Sequence, residues 1–296
     1  MQHPDKTISS VNPSAHHTAQ SADRHDRSSG LAHAHNERNK LIEIKNVNKI
    51  YATPEDDKVY ALKDVSISVS PGEFIAILGP SGCGKSTLLR MIAGLDQPTS
   101  GEVLFHGVRV VQPSPRISMV FQNFALLPWK TVKENILLAL RSQPTTEVQK
   151  ARTASDLLEK VGLLNFEHHY PGELSGGMKQ RVGIARALSV NPEVLLLDEP
   201  FSALDEVTAL DLRKQLLDLW QEKKANDTYV LITHLIEEAV LLADTVYVMS
   251  HRPGHVIGTV HIDLPRPRFE HHRTKRFFAE VDKIQRLLAQ NASIVV

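Results

Sequence analysis

An α/β protein built on a mainly parallel sheet, with an antiparallel β portion and a helical portion beside it, is the fold class that this sequence predicts. Three observations carry that expectation. Gly79, Pro80, Ser81, Gly82, Cys83, Gly84, Lys85, Ser86 and Thr87 follow the spacing G-x-x-x-x-G-K-[ST], between an apolar run at 73–78 and a helix-like run at 88–93. Residues 194–197, Val-Leu-Leu-Leu, form an unbroken apolar stretch of the kind a strand buried on both faces requires, and it ends in Asp198 and Glu199. Short β-prone runs at 41–47, 65–69 and 103–105 give way to residues 131–162, where Val132, Ile136, Leu137 and Leu140 recur on one helical face.

Taken in order, residues 1–40 contain His3, His16, His17, His25, His33 and His35 and scarcely any periodic apolar pattern, which predicts a disordered His-rich tail. The histidines lack the Cys or carboxylate spacing of a formed metal site. Strand, glycine-rich turn and helix at 73–93 then form a phosphate-binding loop. Glycines at 79, 82 and 84 let successive amides curl around an anion, and the following helix turns its positive end to the same point. Lys85 is suited to the β- and γ-phosphates and Ser86 to Mg²⁺. The amides and Lys85 around Cys83 also predict a lowered thiol pKa there.

Asp198 and Glu199 fall where open parallel sheets bind ligands, at a strand's carboxyl edge. Asp198 suits the outer shell of Mg²⁺, and Glu199 suits polarising a water aimed at the γ-phosphate. Residues 174–181, Leu-Ser-Gly-Gly-Met-Lys-Gln-Arg, precede a helix in which Met178, Val182, Ala185 and Leu188 recur, with Ser175 as N-cap. The Ser175 hydroxyl and the amides of Gly176 and Gly177 make a second anion site, one more than a single nucleotide needs. After Asp205, Ala209, Leu212, Leu216 and Leu219 mark another helix. Phe277, Val281, Ile284 and Leu288 mark a last one, with Arg266, Arg268, Arg273, Lys275 and Arg276 ahead of it as a solvated basic lead-in.

These residues together resemble the ATP-binding subunits of ABC transporters, over about residues 41–268. Tyr51, the phosphate loop, Gln122, the Ser175-Gly176-Gly177 signature, Asp198-Glu199, Asp205 in Ser-Ala-Leu-Asp and His234 follow one another in that family's order. The resemblance implies a P-loop NTPase of ABC type: a RecA-like parallel sheet, an antiparallel β subdomain, a helical subdomain at about 124–190, and a terminal amphipathic helix at 269–296. It implies ATP and Mg²⁺ as cofactors. Tyr51 then stacks on adenine, Gln122 touches Mg²⁺ and the attacking water, Asp205 lies at a dimer seam, and His234 contacts the γ-phosphate. Singly, Tyr51 reads as well as a packed strand aromatic, Gln122 as a polar loop residue and His234 as a satisfied core histidine. Met178 stands where the family's commonest signature has Gln, but the phosphate-facing groups are intact.

The implied partners are a second copy, paired head to tail around two ATP molecules, two membrane permease subunits and, indirectly, an extracytoplasmic binding protein. The expected place is the cytoplasmic face of the inner membrane. Ala-Leu-Leu-Pro-Trp at 125–129, Tyr-Pro-Gly-Glu-Leu-Ser-Gly-Gly-Met at 170–178, Arg252-Pro-Gly254 and Leu-Pro-Arg-Pro-Arg at 264–268 resemble the subgroup importing nitrate, taurine and aliphatic sulfonates, with sulfonate the first expectation. Alternatives outside transport are a repair or chromosome ATPase of the same superfamily and a non-hydrolytic nucleotide sensor. Between Lys85 and Ser175 no heptads intervene to support a coiled-coil ATPase. Zero formal net charge gives no electrostatic footprint for nucleic acid, and 42% hydrophobic content over 296 residues can bury a sizeable core. The lack of an 18-residue apolar run or an apolar N-terminal core predicts neither a membrane span nor secretion, and the single cysteine fits a reducing cytosol.

Overall fold

Alternation of buried and exposed residues sets the first layer. In this computed structural model, which describes residues 40–52, 57–222 and 227–292, β1 (Ile42–Ala52) and β2 (Lys58–Val69) pair antiparallel. Strand β1 also pairs with β4 (Ser100–Phe105), which pairs with the two-residue β5 (Val108–Arg109), giving the sheet order β2-β1-β4-β5. The expected His-rich tail lies outside the described residues except for Lys40.

The second sheet is made of strands without alternation. β3 (Phe74–Leu78), β7 (Val194–Asp198), β8 (Thr228–Thr233) and β9 (Thr245–Met249) are buried at every position, as a sheet covered on both faces requires. With β6 (Ile117–Val120) and β10 (Val256–His261) they form the order β10-β9-β3-β8-β7-β6, parallel except for β10. One face packs against the antiparallel sheet and α1 (Lys85–Ile92) through Ile42, Leu62, Ile75, Leu88 and Ile232. The other packs against α5 (Glu206–Glu222), α6 (Ile236–Leu242) and α7 (Lys275–Ala292). Trp220, Tyr229 and Phe277 are all but fully buried there, the Phe277 side chain alone contributing about 1.5–3 kcal/mol. Phe74 meets both Trp220 and Tyr229 edge to face.

Helices α2 (Val132–Ala139), α3 (Glu147–Lys160) and α4 (Gly176–Leu188) hold a third apolar cluster that includes Ile136, Leu158, Val182 and Ala185. Thr131 with Glu134 and Thr146 with Gln149 form reciprocal capping boxes that start α2 and α3. Met178 packs against this cluster. Helices are therefore present within 131–162 and after Ser175, and again after Asp205 and across 277–288, where the sequence predicts them.

One expectation fails. The basic run predicts a solvated lead-in that includes Arg266 and Arg268, but Arg268 is 2% exposed and donates to the carbonyls of Ala243 and Leu264, 2.5 and 3.2 Å away. Arg266 donates to Asp244 at 2.7 Å and to the Leu242 carbonyl at 2.7 Å, with its guanidinium over the Trp220 ring. Burial pushes Arg268 down to about 10, and the two arginines fasten the chain after β10 to the end of α6.

Candidate active site

Strand register gathers the site. Leu78 pairs with Thr233 and Asp198 with Ile232, so Gly79, Glu199 and His234 leave the same carboxyl edge side by side. Gly84, at φ 103°, is the N-cap of α1, and a Cβ there would lie 2.7 Å from Leu62 Cδ2 and 2.9 Å from the Ala61 carbonyl. Only glycine fits that turn, which leads directly into Lys85. The Lys85 ammonium, 4% exposed, donates to the carbonyls of Gly79 and Pro80 at 2.8 and 2.9 Å and sits 3.7 Å from Glu199 Oε1.

Ser86 Oγ donates to Asp198 Oδ1 at 2.8 Å. Burial pushes the Asp198 carboxyl above its ordinary value, against that hydrogen bond. Glu199 sits in the left-handed region at φ 43°, its amide donating to the Ile232 carbonyl at 3.1 Å. Such a conformation costs about 1 kcal/mol or more and aims the side chain between the Lys85 ammonium and the His234 ring: Oε2 is 3.3 Å from His234 Nδ1. A cavity of about 310 Å³ is lined by Gly82, Gly84, Lys85, Ser86, Gln122 and Glu199, with Ser81, Thr87 and Arg252 completing its wall. Gln122 Nε2 donates to Ser202 Oγ at 3.4 Å. Tyr51 stands further out, 40% exposed, its hydroxyl donating to Asp96 at 2.9 Å and lying 3.5 Å from Thr87 Oγ1.

The signature residues are not on this cavity. Ser175 accepts from the Met178 amide at 3.3 Å as the N-cap of α4, and Ser175 and Gly176 are exposed. A Cβ on Gly177 would meet Thr208 Cγ2 at 2.4 Å, so α4 begins against the first turn of α5. Asp205 starts that helix: its carboxylate accepts from the Thr208 amide at 3.0 Å and the Thr208 hydroxyl at 2.7 Å, which holds it below the usual carboxylate range.

Cys83 departs from expectation. Its side chain is fully buried, its amide approaches the Pro80 carbonyl at 3.4 Å, and burial pushes the thiol up from 9.0 despite Lys85. The thiolate expected from neighbouring amides is disfavoured because desolvation outweighs the nearby charge. Gly79 and Pro80 likewise serve the loop itself, through the Gly79 amide to Thr233 O at 3.4 Å and the two carbonyls that hold Lys85.

Arg252 was not anticipated as a site residue. Its Nε donates to the Gly82 carbonyl at 3.1 Å. Close contact puts it there: a Cβ on Gly254 would fall 2.0 Å from the Cys83 carbonyl, while the Gly254 amide and carbonyl bond to Ala61 and Lys63 of β2. The only signal in the sequence was the Arg252-Pro-Gly254 string itself.

The model of the family described as ABC transporter matches residues 62–202. Nitrate import ATP-binding protein NrtD of Synechocystis is 45% identical over 254 residues, covering 83% of this chain and 94% of that one. The chain belongs to the ABC transporter family. It is an ATP-binding subunit of that family, an ATPase coupled to transport that uses ATP with Mg²⁺. NrtC of the same organism, also a nitrate import ATP-binding protein, is 48% identical over 77% of this chain, which spans 34% of NrtC. Among solved structures, the dimeric post-hydrolysis state of the ATP-binding cassette MJ0796 bound to ADP and Pi has a TM-score of 0.67 and 34% identity, covering 76% of this chain and all of that one.

The ABC transporter site fits a magnesium triphosphate on its own geometry. A cavity walled by loop backbone and Lys85 meets a half-buried Ser86–Asp198 pair that offers two oxygens to a hard cation. When bound, Mg²⁺ supplies neutralisation of phosphate charge. Among the described residues no helix is long and apolar enough to cross a membrane.

Proposed function

We propose that this chain hydrolyses ATP to drive import of a small oxyanion, nitrate being favoured, through partner membrane subunits, and that it does so as a head-to-tail pair. The observation that carries the pairing is the separation just described: Lys85, Ser86 and Glu199 share one cavity, while Ser175 and Gly176 face solvent away from it. An exposed serine hydroxyl with glycine amides at a helix N-terminus is a phosphate site without a phosphate of its own. A second copy supplies one.

In that pair Lys85 holds the β- and γ-phosphates, Ser86, Asp198 and Gln122 hold Mg²⁺, and Tyr51 packs on the adenine. Glu199 draws a proton from the attacking water, and His234, now 3.3 Å from Glu199, keeps that carboxylate aimed and meets the γ-phosphate. Ser175, Gly176 and Gly177 grip the same phosphate from the other copy, and Asp205 lies beside the seam. Loss of the γ-phosphate removes the shared ligand and opens the pair, a population shift that pulls on the membrane subunits. Phe124 and the apolar stretch through Trp129, which is 70% exposed, are the surface offered to those subunits. An extracytoplasmic binding protein delivers the cargo, and the chain works from the cytoplasmic face of the membrane.

Nitrate is supported by likeness to NrtD over nearly all of its length. The short strings at 125–129, 252–254 and 264–268 are shared by the whole nitrate, taurine and sulfonate subgroup, so import of aliphatic sulfonates or taurine rests on likeness to that subgroup alone. Deleting the gene and growing cells on nitrate, taurine or alkanesulfonates separates these readings. Loss of growth on nitrate alone is expected, and loss on alkanesulfonates alone would transfer the assignment. Unimpaired growth on all three, with a purified protein that binds but never turns over ATP, would leave a nucleotide sensor.

A further inference from the structure

Behind the phosphate loop lies a second, larger cavity of about 750 Å³, which shares Arg252 with the first but is not lined by Lys85, Ser86, Gln122 or Glu199. It is an open cavity bounded by the end of β3, the loop joining β9 to β10, and the last turns of α7. Leu78, Ile236, Met249, Ile257 and Leu288 form apolar walls. The ionisable groups that line it are Lys63, His234, His251, Arg252 and His255, and no aspartate or glutamate is among them. His255 Nδ1 is engaged by Ser250 Oγ at 2.8 Å and His234 Nδ1 faces Glu199, but Lys63 and Arg252 make no ion pair among the described residues.

A cavity of this size with apolar walls suits a compact organic molecule. Cations without a carboxylate reject a positively charged guest and favour an anionic head. We propose that this cavity binds a small amphipathic organic anion, an apolar body carrying one carboxylate or sulfonate, and that its occupancy changes the protein's affinity for ATP. The second half rests on the nucleotide site proposed above. Arg252 walls both cavities and holds the Gly82 carbonyl, Pro80 lines this cavity while its carbonyl holds Lys85, and His234 lines it while meeting Glu199. An anion that draws Arg252 toward itself loosens its hold on the phosphate loop, and by reciprocity bound ATP changes the anion's affinity equally.

The test uses the full chain and 8-anilinonaphthalene-1-sulfonate, with uncharged N-phenyl-1-naphthylamine as the matched body without a head. Fluorescence titration is expected to give one saturable site for the sulfonate and binding at least about tenfold weaker for the uncharged dye. Lys63→Glu with Ala289→Glu, both at exposed positions on the rim, should weaken the sulfonate by a further tenfold or so while turnover without dye stays at the parent rate. Saturating sulfonate should shift the KM for MgATP by about threefold or more. Equal binding of the two dyes, or binding indifferent to the double substitution, would place the dye on some other apolar surface and overturn the site. Tighter sulfonate binding by about tenfold in a chain ending at residue 292 would make the C-terminal residues the occupant instead. An unchanged KM would sink the coupling. A chain that bound the sulfonate as expected yet turned over no ATP would refute the proposed function and leave this site standing.

Discussion

Asp198 and Glu199 are neighbours in the chain with opposite environments. Asp198 is 5% exposed and its pKa is raised by burial; Glu199 is turned outward by its left-handed backbone toward Lys85 and His234. A carboxyl whose folded pKa lies above its unfolded value favours the fold when protonated. That contribution is complete below the ordinary value of 3.8 and is lost as pH rises through the folded value. Asp198→Asn keeps the partner for Ser86 and removes the buried charge. Its Tm at pH 7 should therefore equal or exceed the parent's by a few degrees, about 2–4 °C, the difference vanishing in acid, while Mg²⁺-dependent turnover falls by about 10² or more. A lower Tm at pH 7 would mean that the charge stabilises the fold. For Cys83 the sign is the same and the window higher: stability is present below the unfolded thiol pKa and lost as pH rises through the folded one. The folded protein should react with a maleimide at pH 7 about 10² times more slowly than after denaturation, and rapid labelling of the native thiol would contradict its burial.

At the scale of elements, α5 follows Asp205 and α6 follows His234, and a buried ion pair ties them. Arg213 donates from Nε to Glu238 at 3.0 Å and from Nη1 to Glu206 at 3.0 Å, with both Arg213 and Glu238 nearly inaccessible. Burial pushes the Glu238 carboxyl up, and Thr233 and Arg213 oppose it. Removing one partner leaves a charge stranded. Arg213→Met should cost about 3–5 kcal/mol of stability in thermal or denaturant unfolding and reduce turnover, because α6 carries the segment that holds His234. Arg213→Met with Glu238→Leu should recover most of the loss. A single substitution costing under about 1 kcal/mol would show that the pair does not couple the two helices.

For the whole molecule, the composite site makes dimerisation depend on the γ-phosphate. Glu199→Gln preserves size and hydrogen bonding but removes the charge that draws a proton from water, so turnover should drop by about 10² or more with ATP still bound. Size-exclusion chromatography should then find a dimer in MgATP and a monomer in MgADP. Adding Ser175→Arg places bulk and like charge opposite Lys85 and should abolish the dimer while each chain's own phosphate loop is untouched. A Glu199→Gln protein that remained monomeric even with its membrane partners would remove the basis for two chains sharing one nucleotide. Removal of residues 1–38, whose composition cannot join an apolar core, should leave Tm and turnover nearly unchanged.

The sequence by itself determined whatever depends on neighbours in the chain. Glycines spaced around Lys85, an apolar strand ending in Asp198 and Glu199, and Ser175 before an amphipathic helix each describe a local conformation with local chemistry, so their identities and elements were legible. Tertiary structure alone decided what depends on burial and on contacts between segments distant in the chain. Whether Cys83 is a thiolate turns on how deeply it is desolvated, which no flanking residue reveals. Arg268 looked solvated among basic neighbours and proved to be a buried anchor because carbonyls from the cap of α6, Ala243, and from the chain beyond β10, Leu264, converge on it. Arg252 reaches the phosphate loop across 170 residues because Gly254 lets two backbones touch. Charge and apolarity are properties of a residue, but desolvation and proximity are properties of the fold, and the chemistry of a site depends on both.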